Sequence, residues 1–295
     1  MGMGRSFAEQ LPAAREVFEE ADSILGEKLS ALCFEGPEEE LKQTANTQPA
    51  LLAASIAALR VLETEGVKAD FVAGHSLGEY SALVAAGSLR FRDALALVRK
   101  RGLFMQEAVP PGVGAMAALI GCDMETVREV CREAARSEVC APANINSPNQ
   151  TVIAGHRQAI ERAVEMAKER GARRAVMLPV SAPFHCELMK PAAERLASVL
   201  ADTEFKDLNL PIVTNVDASV IMRGSEARDA LLRQVASPVR WSDSIGRLIE
   251  EGVTRFVEVG PGKVLSGLVR QISRQSQLLN VEDVESLSEA VAVLR

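Results

Sequence analysis

Phe71-Val72-Ala73-Gly74-His75-Ser76-Leu77-Gly78-Glu79-Tyr80 is the stretch from which the rest of the chain is read. Three apolar residues, enough to close a buried strand, lead into the pattern G-x-S-x-G. Glu79 to Ala86 follows and is rich in good helix formers. Strand, tight turn and helix are the context a nucleophile elbow needs. Two glycines allow a turn too sharp for residues with a Cβ. Such a turn lifts the Ser76 hydroxyl above the sheet and aims a helix amino terminus at it. Free N–H groups and the helix dipole favour negative charge at that place. The same five residues also fit a plain glycine-bounded turn with a surface serine; the flanking strand and helix favour the nucleophile.

The wider composition narrows the class. The chain has 295 residues, 47% of them hydrophobic, which supports a full core in one large domain or two smaller ones. Aromatics are only 4%, so alanine, leucine and valine fill the interior. A net charge of −7 argues against a nucleic-acid partner. No apolar run approaches the roughly 18 residues of a membrane span, and no signal peptide is visible. The five cysteines are odd in number and lack C-x-x-C spacing, so neither a disulfide framework nor a zinc site is expected. The expected compartment is the reducing cytoplasm.

Working outward, residues 6 to 25 carry apolar positions at a period of about 3.6 and predict one helix. Leu29 to Phe34 is a short apolar segment, and Glu38 opens another helix with acids in its first turn. Thr47 and Pro49 predict the cap and first turn of a long helix ending at Gly66. A helix over 92–108 follows the elbow helix. The pattern then changes: strand candidates at 114–121, 139–144, 151–154 and 174–180 alternate with amphipathic helices at 124–135 and 158–170. That β-α-β-β-α-β order is the split βαβ signature of a ferredoxin-like unit. The expected organisation is therefore an inserted subdomain at 113–179 within a discontinuous domain formed by 1–112 and 180–295. In the larger part, strands at 211–215 and 255–259 alternate with helices at 191–201, 228–235 and 242–251, and a further helix begins near Val264. This α/β alternation predicts a parallel sheet covered on both faces.

A serine hydroxyl needs a base. Of three histidines, His75 adjoins Ser76 and should point elsewhere, and His156 reads as a solvated turn residue. His185 lies in a loop at a predicted strand end, where α/β sheets build sites, so elimination selects it. No acid stands out to orient the histidine: Asp217, Asp243 and Glu258 fit on spacing, and a backbone carbonyl serves equally well. Cys186 adjoins His185 and is a weak alternative nucleophile. The run Arg99-Lys100-Arg101 reads either as a solvated basic face or as a guanidinium clamp for a carboxylate.

Gly74-His75-Ser76-Leu77-Gly78-Glu79-Tyr80, Lys100-Arg101-Gly102, Phe104-Met105-Gln106, Asn144-Ile145-Asn146-Ser147-Pro148, Phe184-His185 and Glu258-Val259-Gly260-Pro261-Gly262 occur together and in order. With them the chain resembles the malonyl-CoA:acyl carrier protein transacylases of bacterial fatty-acid synthesis, over nearly its whole length. The resemblance implies an α/β-hydrolase-like domain with an inserted ferredoxin-like subdomain. It implies Ser76 as nucleophile, His185 as base, the Leu77 N–H as an oxyanion donor and the main-chain carbonyl of Gln234 as the group orienting the histidine. Arg101 would hold the malonyl carboxylate, Gln48, Met105 and Asn146 would line the acyl pocket, and Phe184 matches relatives that take malonyl. No metal or redox cofactor is implied. The acceptor would be the phosphopantetheine thiol of acyl carrier protein, an acidic partner for which Arg270, Arg274, Lys190 and Arg195 are candidate contacts. Family members open with an apolar strand and a Gly-Gln-Gly-Ser-Gln loop that this sequence lacks, which implies a start upstream of Met1 or else weakened activity. A serine thioesterase and an inactive carrier-binding relic are the rival readings.

Overall fold

A computed structural model describes residues 1–295. Nine strands form three sheets. β1 (Val72–Ala73) runs parallel to β6 (Ile212–Val213), which pairs antiparallel with β7 (Val220–Ile221). β2 (Gly114–Ile120), β3 (Cys140–Ser147), β4 (Gln150–His156) and β5 (Arg174–Met177) make a four-stranded antiparallel sheet in the order β3-β4-β2-β5. β8 (Arg255–Val259) and β9 (Gln277–Val281) are parallel. The chain is thus α/β, with the antiparallel sheet in the segment where the sequence pattern places it; the expected single parallel sheet is instead two separate pairings, β1 with β6 and β8 with β9, and β7 and β9 were not expected.

The antiparallel sheet shows why its segment alternates as it does. Side chains of a strand point to opposite faces in turn. Ala115, Ala117 and Leu119 of β2 pack with Val127 and Val130 of the helix Met124–Ala135 and with Ile160 and Val164 of the helix Arg157–Glu169. Met116 points the other way, into a second cluster with Ala143, Val152, Ala154 and Cys186. The sheet is therefore apolar on both sides, one covered by its own helices and the other by the remainder of the chain.

The helix Thr44–Thr64 is the centre of the main core, with Ala50, Leu52, Ala53, Ile56, Ala57 and Ala58 all within 2% of complete burial. A helix apolar on all sides must be enclosed. Its neighbours are the helices Pro12–Leu25 and Phe91–Glu107. Small alanine side chains let these backbones approach, which is how a chain with few aromatics fills its interior.

Four local expectations are corrected. The single helix over 6–25 is two, Arg5–Gln10 and Pro12–Leu25, because Leu11 is extended (φ −123°, ψ 117°) and Pro12 has no N–H to continue the first. Leu29–Glu35 is a helix rather than a short apolar segment. The long helix starts at Thr44, so Thr47 is not its cap and Pro49 lies beyond the first turn. Pro49 cannot bond the Ala45 carbonyl, and Arg99 Nη1 donates to that carbonyl instead at 3.0 Å. The strands β1 and β6 are only two residues long, and the polar residues beyond their carboxyl ends form the site.

Candidate active site

The elbow is built by close approach. A Cβ on Gly74 would lie 2.0 Å from the backbone carbon and oxygen of Gly78, so only glycine lets the strand end pass the helix start. A Cβ on Gly78 would meet nothing, so its own side of the turn is open. The left-handed residue of the turn is Ser76 itself, at φ 52°. Asn215, immediately past β6, holds that strained turn: its Oδ1 accepts the Ser76 N–H at 2.6 Å and its Nδ2 donates to the Gly74 carbonyl at 2.7 Å. The next donor, the Leu77 N–H, engages no acceptor in the protein and stands at the amino terminus of the helix Gly78–Ala85.

The structure brings Ser76 and His185 together across 109 residues, with 2.7 Å between Ser76 Oγ and His185 Nε2. His185 Nδ1 lies 2.9 Å from the Gln234 carbonyl oxygen. A carbonyl only accepts, so Nδ1 carries the proton and Nε2 offers its lone pair to the serine hydroxyl. Gln234 is the last residue of the helix Gly224–Gln234, where the final carbonyls have no partner within the helix. That carbonyl replaces an acid. Asp217 pairs with Arg233 and Asp243 with Arg240, while Glu258 accepts the N–H groups of Leu265 and Ser266 at a helix start. Burial first, and then the nearby Arg101, push the imidazole of His185 down to about 3.

The three residues of the basic run differ in their surroundings. Lys100 is exposed, and Arg99 ties its own helix to Asn46 of the long helix and to Glu27. Arg101 is 2% exposed and faces Ser76, donating from Nη2 to its Oγ at 3.1 Å. Nη1 donates to Gln48 Oε1 at 2.7 Å, Nη2 also to Gln234 Oε1 at 2.8 Å, and the guanidinium carbon lies 5.5 Å from the Tyr80 ring centroid. Its Nε is buried without a partner, and none of the ion pairs includes it. Its direct partners are two neutral amides and a hydroxyl, so no contacting anion offsets the cost of burying this charge.

The remaining predicted residues divide. Gln48 and Met105 touch, Nε2 to Sδ at 3.8 Å, next to Arg101. Asn146 lies at the irregular end of β3, where a bulge re-aims the strand, and its Oδ1 is 2.9 Å from His75 Nε2. His75 therefore points away from the serine, toward Asn146 and Trp241. Phe184 is half-buried against both the main core and the second face of the antiparallel sheet. His156 is not a solvated turn residue: its Nδ1 accepts the Val139 N–H at 2.9 Å and pins the start of β3. Cys186 is buried with its thiol on the Pro183 carbonyl. No three His, Cys, Asp or Glu side chains are gathered so as to hold a metal.

Sequence reasoning missed Asn215, Glu79, Tyr80 and the side chain of Gln234. Glu79 and Tyr80 stood in the quoted motif, but an acid in the first turn of a helix is ordinary and so gave no signal of its burial; Asn215 carried no signal but its place at a strand end.

The chain is similar to proteins already known. The profile of the acyl transferase domain matches residues 1–291. The malonyl CoA-acyl carrier protein transacylase of Bacillus subtilis is 51% identical over 296 residues, covering 100% of this chain and 93% of that one. Among solved structures, the transacylase of the same description from Coxiella burnetii superposes with a TM-score of 0.98 at 45% identity, over 100% of this chain and 93% of that one. A malonyl-transacylase solved in complex with a type II polyketide-synthase acyl-carrier protein superposes at 0.97 with 47% identity, over 99% and 95% of the two chains.

Proposed function

Because the chain belongs to the acyl transferase domain family, we propose that it moves malonyl from malonyl-CoA to the phosphopantetheine thiol of acyl carrier protein, by way of a malonyl ester on Ser76. The observation that carries this reading is the buried guanidinium of Arg101, in no direct ion pair, beside the Ser76–His185 pair. A thioesterase for uncharged acyl groups has no use for it.

The steps follow from the geometry. The malonyl carboxylate takes the Arg101 guanidinium bidentately and displaces its bond to Ser76. Ser76 Oγ attacks the thioester carbonyl as its proton passes to His185 Nε2. The oxyanion is met by the Leu77 N–H, and the imidazolium by the Gln234 carbonyl at a helix carboxyl terminus, where positive charge is favoured. Collapse breaks the C–S bond, and the CoA sulfur leaves with the proton from His185. In the second half the carrier's thiol gives its proton to His185, its sulfur attacks the ester, and Ser76 recovers the proton as the C–O bond breaks. All the chemistry is done by protein side chains and backbone.

The same reading covers the organisation and the partner. Residues 113–179 are the inserted ferredoxin-like subdomain, and 1–112 with 180–295 the α/β-hydrolase-like domain. For the acidic carrier, Arg270 and Arg274 are the stronger pair of contacts: both are exposed and neither is engaged by a carboxylate. Lys190 pairs with Glu187, and Arg195 with Glu107 over the Phe104 ring. No helix is long and apolar enough to cross a membrane, and a cytoplasmic setting accords with five free thiols. The test is a single-turnover chase: the protein loaded from malonyl-CoA should pass the group to acyl carrier protein much faster than to water. Release to water at the same rate with and without the carrier would favour the thioesterase.

A further inference from the structure

One buried acid next to this machinery takes no part in those steps. Glu79 is 1% exposed in the first turn of the helix Gly78–Ala85. Its Oε2 accepts Gln234 Nε2 at 2.7 Å and the Asn215 N–H at 3.2 Å. The same Gln234 Nε2 donates to the Ser76 carbonyl at 3.0 Å, which leaves Gln234 Oε1 to accept Arg101 Nη2 at 2.8 Å. An amide has one donor end and one acceptor end. Reversed, it would set its NH2 on the guanidinium and its oxygen on the carboxylate and the carbonyl, so every contact would pair like with like. Glu79 therefore fixes which way Gln234 points, and through it where Arg101 sits.

The charges that face Glu79 are few. Arg101 comes from the helix Phe91–Glu107, Asp217 from the turn after β6, where Arg233 neutralises it, and the Tyr80 phenol from Glu79's own helix, pushed up to about 12 by burial and so uncharged. His185 lies beyond Arg101 and is neutral above the acid range. Arg101 is the cation nearest this carboxyl by way of Gln234.

We propose that Glu79 is a positioning and specificity-determining residue that orients Gln234 for Arg101 and, when ionised, competes with the acyl carboxylate for the guanidinium. This rests on Arg101 being the carboxylate ligand, as above. With Glu79 ionised, malonyl brings a second negative charge to one buried cation; with Glu79 protonated, cation and carboxylate match one to one. An acetyl group brings no charge and is indifferent. The preference for malonyl over acetyl thus rises as Glu79 takes up its proton. Burial, partly offset by Gln234, Asn215 and Arg101, pushes this carboxyl up to about 7, so the change falls near neutral pH.

The experiment measures single-turnover acylation of Ser76 by malonyl-CoA and by acetyl-CoA from about pH 6 to about pH 8.5. Taking the ratio of the two rates removes effects common to both, including that of the leaving thiol, and His185, pushed down to about 3, titrates well below this pH range. The ratio should fall with rising pH by on the order of tenfold, the change that one unit of pKa coupling produces. Glu79→Gln should hold it high and flat, whereas Glu79→Ala, which frees the Gln234 amide, should slow both acylations. A flat ratio in the unaltered protein overturns the proposal, whether or not the variants fold. No acylation by either thioester would instead overturn the transferase reading itself.

Discussion

Ser76 and His185 are two of only four non-glycine residues at positive φ, at 52° and 59°, so both reacting groups sit on backbone held in place by its surroundings. His185 is a weak base because burial and Arg101 both oppose its charge. A malonyl carboxylate on Arg101 cancels the second of these, so the correct acyl group strengthens its own base. Arg101→Ala should therefore slow malonyl acylation on the order of a hundredfold or more, matching the roughly 2–5 kcal/mol lost when one partner of a buried charge pair is truncated. Acetyl acylation should change far less, and single-turnover rates with the two thioesters check the contrast. Glu79 also predicts a stability profile. Its folded pKa, about 7, lies above the ordinary 4.5, so its contribution is fully present below about 4.5 and is lost as pH rises through about 7. Glu79→Gln should gain on the unaltered protein by roughly 2–3 kcal/mol between pH 5 and pH 8, read from denaturant unfolding at the two values. His185, whose pKa is depressed, acts in the opposite direction at acid pH and cancels in that comparison.

The elbow and the long helix position those residues, and each has a change that tests it. Gly74→Ala forces a Cβ into the Gly78 backbone, so the turn must shift. A displacement of about 1 Å at the nucleophile costs on the order of a hundredfold in rate, and acylation kinetics should show it even where circular dichroism is unchanged. Arg99→Ala strips the buried Ala45 carbonyl of the donor that replaces Pro49, a loss of about 1–3 kcal/mol that thermal unfolding would register. Lys100→Ala, on the exposed face, should stay within about 0.5 kcal/mol. The same two elements show what a sequence carries. G-x-S-x-G announced the elbow because a tight turn leaves a local signature. The β-α-β-β-α-β order was legible because its helices are strongly amphipathic. The short strands β1 and β6 were overestimated, since apolar residues look alike in a strand and in the loop that continues it. The start of the long helix was misplaced because Arg99, 50 residues downstream in sequence from Pro49, satisfies what the proline leaves open.

At the scale of the whole molecule, the site is made where separate parts of the chain meet. β3 is bonded to Val239 through Ile145 and Ala143, which sets Asn146 against His75 and joins the antiparallel sheet to the elbow. Such long-range meetings are what sequence alone conveys least. Motif and elimination pointed to Ser76 and His185, which the fold brings within 2.7 Å, whereas the basic run left Arg101 undecided without the family resemblance. The network of Asn215, Glu79 and the Gln234 side chain was not legible, because amides and a buried acid have no spacing rule. The overall charge of −7 opposes an acidic carrier, so docking relies on local cations. Reversing the charge of Arg270 and Arg274 together should raise the KM for acyl carrier protein, and more so at low salt, while acylation from malonyl-CoA stays unchanged. The central claim, that one serine carries the acyl group between two thiols, is tested most directly by incubation with malonyl-CoA followed by peptide mass mapping. The account predicts one malonyl group, on Ser76, removed by acyl carrier protein and absent from Ser76→Ala. A malonyl adduct on any other residue, or none on Ser76 in the folded protein, would contradict it.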